Sequence, residues 1–321
     1  MRLLHSLDSL VAFKQPCVAT IGAFDALHIG HQAIIRKTQT IAKNYCIPAV
    51  VVMFEPLPGE FFADKDTPPK RIYTLRRRIE LVRKIGVDYL VCLNFNKTLA
   101  NWTAAEFVQG IILDGLHVRH LVVGDDFRFG KNREGDYNML RDYGNRFGFE
   151  LSRIDAVMVG NVRVSSTRIR ELLLAGELAQ ANRMLGDPYS VTGRVRLGDR
   201  LGTQLGYPTA NLSFRKRQPP LHGVFAVSVE VLGMQLKGVC NAGVRPTVGA
   251  GQYRIETHIF DFDKDVYGER MTIYPQHYLR AERRYNDIEQ LKNAICKDIK
   301  VAKVFLESEP NNDTQTQYLN N

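Results

Sequence analysis

The sequence has no apolar run approaching the roughly 20 residues that a membrane-spanning helix needs. That argues against a helical integral membrane protein. Its opening, MRLLHSLDSLVAF, has one early arginine, but Asp8 interrupts the apolar stretch and no small-residue cleavage site follows, so no signal peptide is read. Cysteine is scarce and irregularly spaced. The five thiols, Cys17, Cys46, Cys92, Cys240 and Cys296, show no CxxC spacing and read as small buried hydrophobes in a reducing compartment. The expectation is a cytoplasmic protein. A basic tail is also missing. The net charge is +9, yet residues 1–186 hold 25 Lys and Arg against 19 Asp and Glu, and residues 187–321 hold 18 against 15. A dedicated nucleic-acid binder concentrates its positive charge, whereas an excess spread over both parts suits phosphorylated small molecules.

What is present falls into two grammars. With 321 residues, 45% hydrophobic and 24% charged, the chain is long enough for two globular domains. In the first half, apolar strand-like runs at 17–24, 49–54, 89–95, 120–127 and 150–159 alternate with helical stretches. One helix follows the first strand, one precedes Gly86, and one starts at Thr103 with Glu106 three residues on, a capping box. Near-continuous apolar strands separated by helices predict an α/β fold, a doubly wound parallel sheet that binds ligands beyond its strands' carboxyl ends. After a Gly- and Pro-containing linker, LGDPYSV (185–191), the pattern becomes short alternating runs, SVTGRVRL, GVFAVSVEVL, QLKGVCNAGV, RIETHIFDF and RMTIYP. These predict an antiparallel sheet or small β-barrel. A C-terminal helix from about Asp287 to Leu306 closes it, with Ile288, Leu291, Ile295, Ile299 and Ala302 at helical spacing. The expected domains are 1–186 and 187–309, with a polar, disordered tail over 310–321.

The densest chemistry lies in TIGAFDALHIGHQAII, residues 20–35, where a strand runs through Gly22 into a helix and His28 and His31 stand three residues apart. A helix start offers unpaired N–H groups and a positive dipole end. Gly22 and Gly30 allow close backbone approach, and imidazoles at i and i+3 share one side of a helix. Both can aim N–H donors at one phosphate. Two readings compete: incidental surface placement, which the flanking glycines and strand disfavour, and a metal pair, for which no Cys, Asp or Glu cluster completes a tetrahedral set nearby. Further on, SSTRIRELLLAG places Ser165, Ser166 and Thr167 at a helix start with Arg168 and Arg170 in its first turns, either a plain cap or a second phosphate grip. GDDFRFGKN (124–132) imitates a P-loop, but it has five residues between its glycines and Asn132 where Ser or Thr belongs.

GAFDALHIGH resembles the G-x-F-D-x-x-H-x-G-H signature of nucleotidylyltransferases, most closely the FAD synthetase module of bacterial bifunctional riboflavin kinase/FAD synthetases. FEPLP (54–58), VGDDFRFG (123–130) and VSSTRIRELL (164–173) resemble further motifs of that module. GRVRLGDRLGTQLGYPTANL (193–212) resembles the riboflavin kinase signature. HIGH also occurs in class I aminoacyl-tRNA synthetases, but no KMSKS-like loop accompanies it here.

The resemblance extends to about residue 306. It implies a nucleotidylyltransferase domain followed by a riboflavin kinase barrel, making FMN and then FAD from riboflavin and ATP with Mg²⁺. It implies catalytic roles for His28, His31, Arg170 and Glu256. It places nucleotide and phosphates at Gly22, Phe24, Asp25, Gly30, Asp126, Ser166, Thr167, Gly198, Gly206 and Pro208, flavin at Arg280, and the metal at Thr209 and Asn211. A carboxylate on a strand face shared by Glu256, His258, Phe260 and Phe262 is unusual unless paired or functional. The sequence departs from the pattern at Ala23, Ala26 and Leu57, where relatives often carry Asn, Gly and His, and at Thr203, where Arg is common. The alternatives are a nucleotidylyltransferase acting on another phosphorylated acceptor and a basic nucleic-acid-binding protein. The implied partners are small molecules, not nucleic acid or membrane, and no oligomeric state is implied.

Overall fold

The computed structural model describes residues 1–11, 13–64, 67–198, 202, 205–214, 217–245 and 252–308. Thr203 and the tail expected to be disordered lie outside the described residues. The chain forms two compact units, Met1–Pro69 with Leu75–Ser165, and Lys70–Thr74 with the chain from Ser166 onward. Among the described residues, no helix is long and apolar enough to cross a membrane.

The first unit is built on six parallel strands: β1 (Arg2–Leu4), β2 (Cys17–Ile21), β3 (Ala49–Glu55), β4 (Tyr89–Asn94), β5 (Val118–Gly124) and β6 (Glu150–Ile154). Their order is β1-β4-β3-β2-β5-β6. Successive side chains of a strand point to opposite faces, and here both faces are covered. Cys17, Ala19 and Ile21 pack with Val50, Val52, Phe107 and Ile111 on one side, while Val51 and Met53 pack with Ile35, Val82 and Phe24 on the other. The chain winds outward from β2 through β3 to β4, then returns to lay β5 against the other side of β2. Strand order therefore reverses between β2 and β5, and the crevice beyond their carboxyl ends is the favoured ligand position in such sheets.

The expected strands hold as elements, and their ends differ for local reasons. β2 stops at Ile21 because Phe24 turns into the left-handed region at φ 47°. The run 150–159 breaks after Ile154, and its end pairs as a hairpin, β7 (Met158–Val159) against β8 (Val162–Arg163). The helix from Leu75 to Ile85 ends at Gly86, φ 95°, and the Thr103–Glu106 capping box is formed.

The second unit is an antiparallel six-stranded barrel of β9 (Val191–Arg194), β10 (Ala210–Phe214), β11 (Gly223–Val231), β12 (Met234–Arg245), β13 (Gln252–Ile259) and β14 (Arg270–Arg280), ordered β10-β13-β12-β11-β14-β9. A bridge between Arg196 and Asn211 brings the edges together and nearly closes it. The helix Ile288–Ser308 buries Ala302 and Leu306 against Val224, Ala226, Val239 and Phe260.

Two expectations are corrected here, and a third gains a boundary. Ile288 is 62% exposed, so the apolar stripe begins later in the helix. β13 ends at Ile259, yet Phe260 keeps to the face of His258: their rings meet at 5.9 Å, and Phe260 packs under the helix against Val239, the residue paired with His258. The segment expected as a linker is partly core: Tyr189 is fully buried, its hydroxyl donates to the Ile72 carbonyl at 3.2 Å, and its N–H donates to Asn182 Oδ1 at 2.8 Å. The helices Ser166–Leu174 and Leu178–Leu185 also belong to this second unit.

Candidate functional site

In the first unit the turn between β2 and the helix Ile29–Tyr45 occupies the switch-point crevice. Gly22 donates its N–H to the Val52 carbonyl at 3.1 Å as the sheet ends. A Cβ there would press on the Phe24 ring at 3.0–3.2 Å, so the glycine lets that ring fold back. Phe24 is buried, and its ring meets His31 edge-on at 5.2 Å. His28 is the helix N-cap: its Nδ1 accepts the His31 N–H at 3.2 Å. An imidazole that accepts through Nδ1 carries its proton on Nε2 when neutral. The two rings stack at 3.7 Å, 14° from parallel, and Gly30 leaves room, since a Cβ would lie 3.2 Å from the His28 ring. Asp25 is buried beside them in sequence, 4% exposed.

Both histidines are held neutral. Burial pushes His28 down to about 4, with the Arg163 charge adding to it and a backbone hydrogen bond opposing. Burial and the neighbouring His28 keep His31 well below the usual imidazole range. Among the described residues, His31 Nδ1 is buried without a hydrogen-bond partner. A pair of neutral N–H donors at the start of a 17-residue helix suits a phosphate.

Sequence reasoning missed what holds this turn. Arg78, fully buried on the helix Leu75–Ile85, donates from Nη1 to the carbonyls of Ala23 at 3.2 Å and Phe54 at 3.3 Å, and pairs with Glu55 through Nη2. One guanidinium thus ties the GAFD turn to the FEP turn. Arg78→Met strands those acceptors and the Glu55 charge, 16% exposed, and is expected to destabilise the fold by about 3–5 kcal/mol in urea unfolding. At the end of β5, Asp125 takes a bidentate grip on Arg163 at 2.7 and 3.0 Å, and the exposed Asp126 lies 3.3 Å from the same guanidinium. Ser166, Thr167 and Arg170 stand on the second unit's first helix, where Arg170 Nε donates to the Lys70 carbonyl at 2.8 Å.

The second unit has its own cavity. Asn211 on β10, Glu256 on β13 and Asn241 on β12 are directly paired across three adjacent strands. Glu256 and Asn241 line the cavity with Thr209, Tyr207, His258 and Arg280. Gly198 approaches Asn211 so closely that a Cβ would meet its amide at 2.5–2.9 Å. Gly206 takes φ 86°, and the Pro208 carbonyl accepts from His258 Nδ1 at 2.9 Å. The expected phosphate-binding residues Gly198 and Pro208 are therefore tied to strand residues of this cavity. Among the described residues, Asn211 Oδ1 is buried with no hydrogen-bond partner, and Asn211 Nδ2 donates to the Thr209 carbonyl at 3.2 Å. Arg280 lines the cavity but spends Nε and Nη2 on Asp298 at 2.6–3.1 Å. Leu291 and Ile295 line the same cavity.

Comparison with known proteins finds a separate match for each part of the chain. The FAD synthetase family model matches residues 11–168 and the riboflavin kinase family model matches residues 185–306. A bifunctional riboflavin kinase/FMN adenylyltransferase of Pseudomonas fluorescens is 44% identical over 306 residues, 95% of this chain and 98% of that one. One from Escherichia coli K12 is 38% identical over 307 residues, with coverage of 95% and 98%. A crystal structure from Streptococcus pneumoniae, described as a macrolide-efflux protein, superposes with a TM-score of 0.78 at 29% identity, covering 90% of this chain and 95% of that one. The paired imidazoles of one unit and the carboxylate between amides in the other thus sit within matches to two enzyme families, in the order found in full-length relatives, and the chain belongs to the bifunctional riboflavin kinase/FMN adenylyltransferase family.

Proposed function

We infer that the chain converts riboflavin to FMN in residues 187–309 and FMN to FAD in residues 1–186, using ATP in both steps. The observation that carries the reading is the coexistence, in separate units, of two neutral stacked imidazoles at a helix start and a cavity carboxylate placed between two asparagines.

In the kinase step the ribityl 5′-hydroxyl oxygen bonds to the γ-phosphorus of ATP as the bond to the β–γ bridging oxygen breaks and ADP departs, and Glu256 accepts the hydroxyl proton. Phosphoryl transfer asks mainly for positioning and charge stabilisation. The Thr209 hydroxyl and the buried Asn211 Oδ1 are hard oxygen donors of the type Mg²⁺ prefers, and an acceptor left without a protein partner fits a cation. Bound there, Mg²⁺ would neutralise charge on the phosphates. Gly198, Gly206 and Pro208 shape the surrounding backbone, and Arg280 borders the flavin.

In the adenylylation step FMN brings its own oxyanion, so no protein nucleophile is required. An FMN phosphate oxygen bonds to the α-phosphorus of ATP and pyrophosphate departs. His28 and His31 donate N–H bonds to the α-phosphate as it becomes pentacoordinate, with Gly22, Phe24, Asp25 and Gly30 shaping the turn and Asp126 beside the nucleotide. The motif at Ser166, Thr167 and Arg170 supports a grip on the remaining phosphates. Five free cysteines support a reducing, cytoplasmic setting.

Incubating the protein with riboflavin, ATP and Mg²⁺ and identifying the flavins by chromatography should show FMN first and then FAD. Supplied FMN and ATP should give FAD and pyrophosphate without riboflavin. Adenylylation of a different phosphorylated acceptor, with no flavin converted, would overturn the reading.

A further inference from the structure

Asn241 takes no part in the mechanism above, yet it stands beside the proposed base. It pairs directly with Glu256 across β12 and β13, on the side of Glu256 opposite Asn211. Directly paired antiparallel residues have Cβ atoms roughly 4.5–5.5 Å apart and share a face of the sheet. Its Nδ2 donates to Glu282 Oε1 at 3.1 Å. A carboxylate can only accept, so the amide cannot be turned round without setting oxygen against oxygen. Asn241 Oδ1 is thereby fixed, and among the described residues it is buried with no hydrogen-bond partner. Gly243 makes room for this contact: a Cβ there would fall 2.2–2.6 Å from the Glu282 carboxyl group, which would have to shift. Both Asn241 and Glu282 line the cavity.

An oriented, buried acceptor calls for a donor from the ligand. The cation has its own hard donors on the other side of Glu256. What remains next to the alcohol that loses its proton is an O–H. Resting on the reading of Glu256 as the base, we propose that Asn241, locked by Glu282, binds the hydroxyl vicinal to the one phosphorylated, so that the kinase site selects a 1,2-diol terminus over a simple primary alcohol. In riboflavin that is the ribityl 4′-hydroxyl. A site built to bond a substrate hydroxyl rejects the analogue that lacks it, because its own polar atom is left unpaired.

The test is a cycle of substrate and protein changes: kcat/KM for riboflavin and for 4′-deoxyriboflavin, in the unaltered protein and in Asn241→Ala. The deoxy substrate should cost the unaltered protein about ten- to a hundredfold. Asn241→Ala should cost about the same on riboflavin and show no further loss on the analogue, with the KM for ATP unchanged. If the two losses multiply, Asn241 does not bind that hydroxyl and the proposal fails. Urea unfolding followed by circular dichroism reports whether the barrel that carries Asn241 is intact. Should Asn241→Ala not fold, Glu282→Ala, which unlocks the amide, is read through the same cycle and should likewise lower discrimination between the two flavins; unaltered discrimination overturns the proposal. Glu256→Gln separates this from the underlying reading: if it phosphorylates both flavins at the original rates, the base assignment fails, whatever the cycle shows.

Discussion

Replacing His28 and His31 together with alanine will remove FAD formation and leave FMN formation at its original rate. Their imidazoles stack at 3.7 Å in the β2-to-helix turn, and no other step in the chemistry uses them. Removing one donor aimed at charge that develops in the transition state costs about 10²–10³ in rate. The double replacement should therefore push FAD synthesis from FMN and ATP below detection in a chromatographic assay, while riboflavin phosphorylation in the same sample is untouched. If both activities fall together in a folded protein, the division of labour is wrong. The pH dependence makes the same point. His28 is held at about 4 by burial, and His31 is also lowered, so both are neutral donors at pH 7. The kcat/KM profile for adenylylation, which reports the free enzyme, should show no histidine inflection near 6.5. The sign for stability follows. An unfolded chain binds protons on these rings as pH falls below about 6.5, whereas the folded one protonates His28 only near 4 and holds His31 well below its usual range. Stability contributed here is full at neutral pH and declines as pH falls between those two values. Alanine at both positions should flatten that decline in acid-unfolding measurements.

Legibility from sequence was uneven, for physical reasons. The β2 turn could be read because its signal is local: an apolar strand, glycine, two histidines and a helix lie within one short stretch. The Thr103–Glu106 cap and the glycines after helices are local in the same way. Arg78 was illegible because it is one of three consecutive arginines at the start of an amphipathic helix. Arg76, two residues before it, is exposed and pairs with Glu80. Only tertiary structure brings the carbonyls of Ala23 and Phe54 to Arg78. Asn241 and Glu282 were missed likewise, since strand pairing and a close approach at Gly243 create their contact. Tyr189 was masked by its neighbours: Gly186 and Pro188 read as linker, while the ring packs against Tyr73, far away in sequence. β1, with three residues, was too short to show a period, and β10 begins two residues after Pro208, whose turn chemistry hid the strand that carries Asn211.

Glu256→Gln is expected to reverse the outcome of the histidine replacements, abolishing FMN formation and sparing FAD synthesis from supplied FMN. Glutamine keeps the size and hydrogen-bonding reach of glutamate but cannot take a proton at neutral pH. Glu256 lines the cavity on β13, paired to Asn211 and Asn241 on either side, so the isosteric change leaves the ladder and both asparagines in place. A positioned general base contributes about 10²–10⁴ to rate. The loss should fall on kcat, with the KM values for riboflavin and ATP near their original levels, because ground-state contacts are retained. The magnitude also reports on the transition state. Where phosphoryl transfer is loose, bond formation to the attacking oxygen lags and its proton stays in place late. A loss below about tenfold would therefore assign Glu256 to orienting the hydroxyl instead of deprotonating it. Comparison with Glu256→Ala decides between these roles: a purely orienting carboxylate is replaced well by glutamine and badly by alanine, whereas a base is lost equally in both.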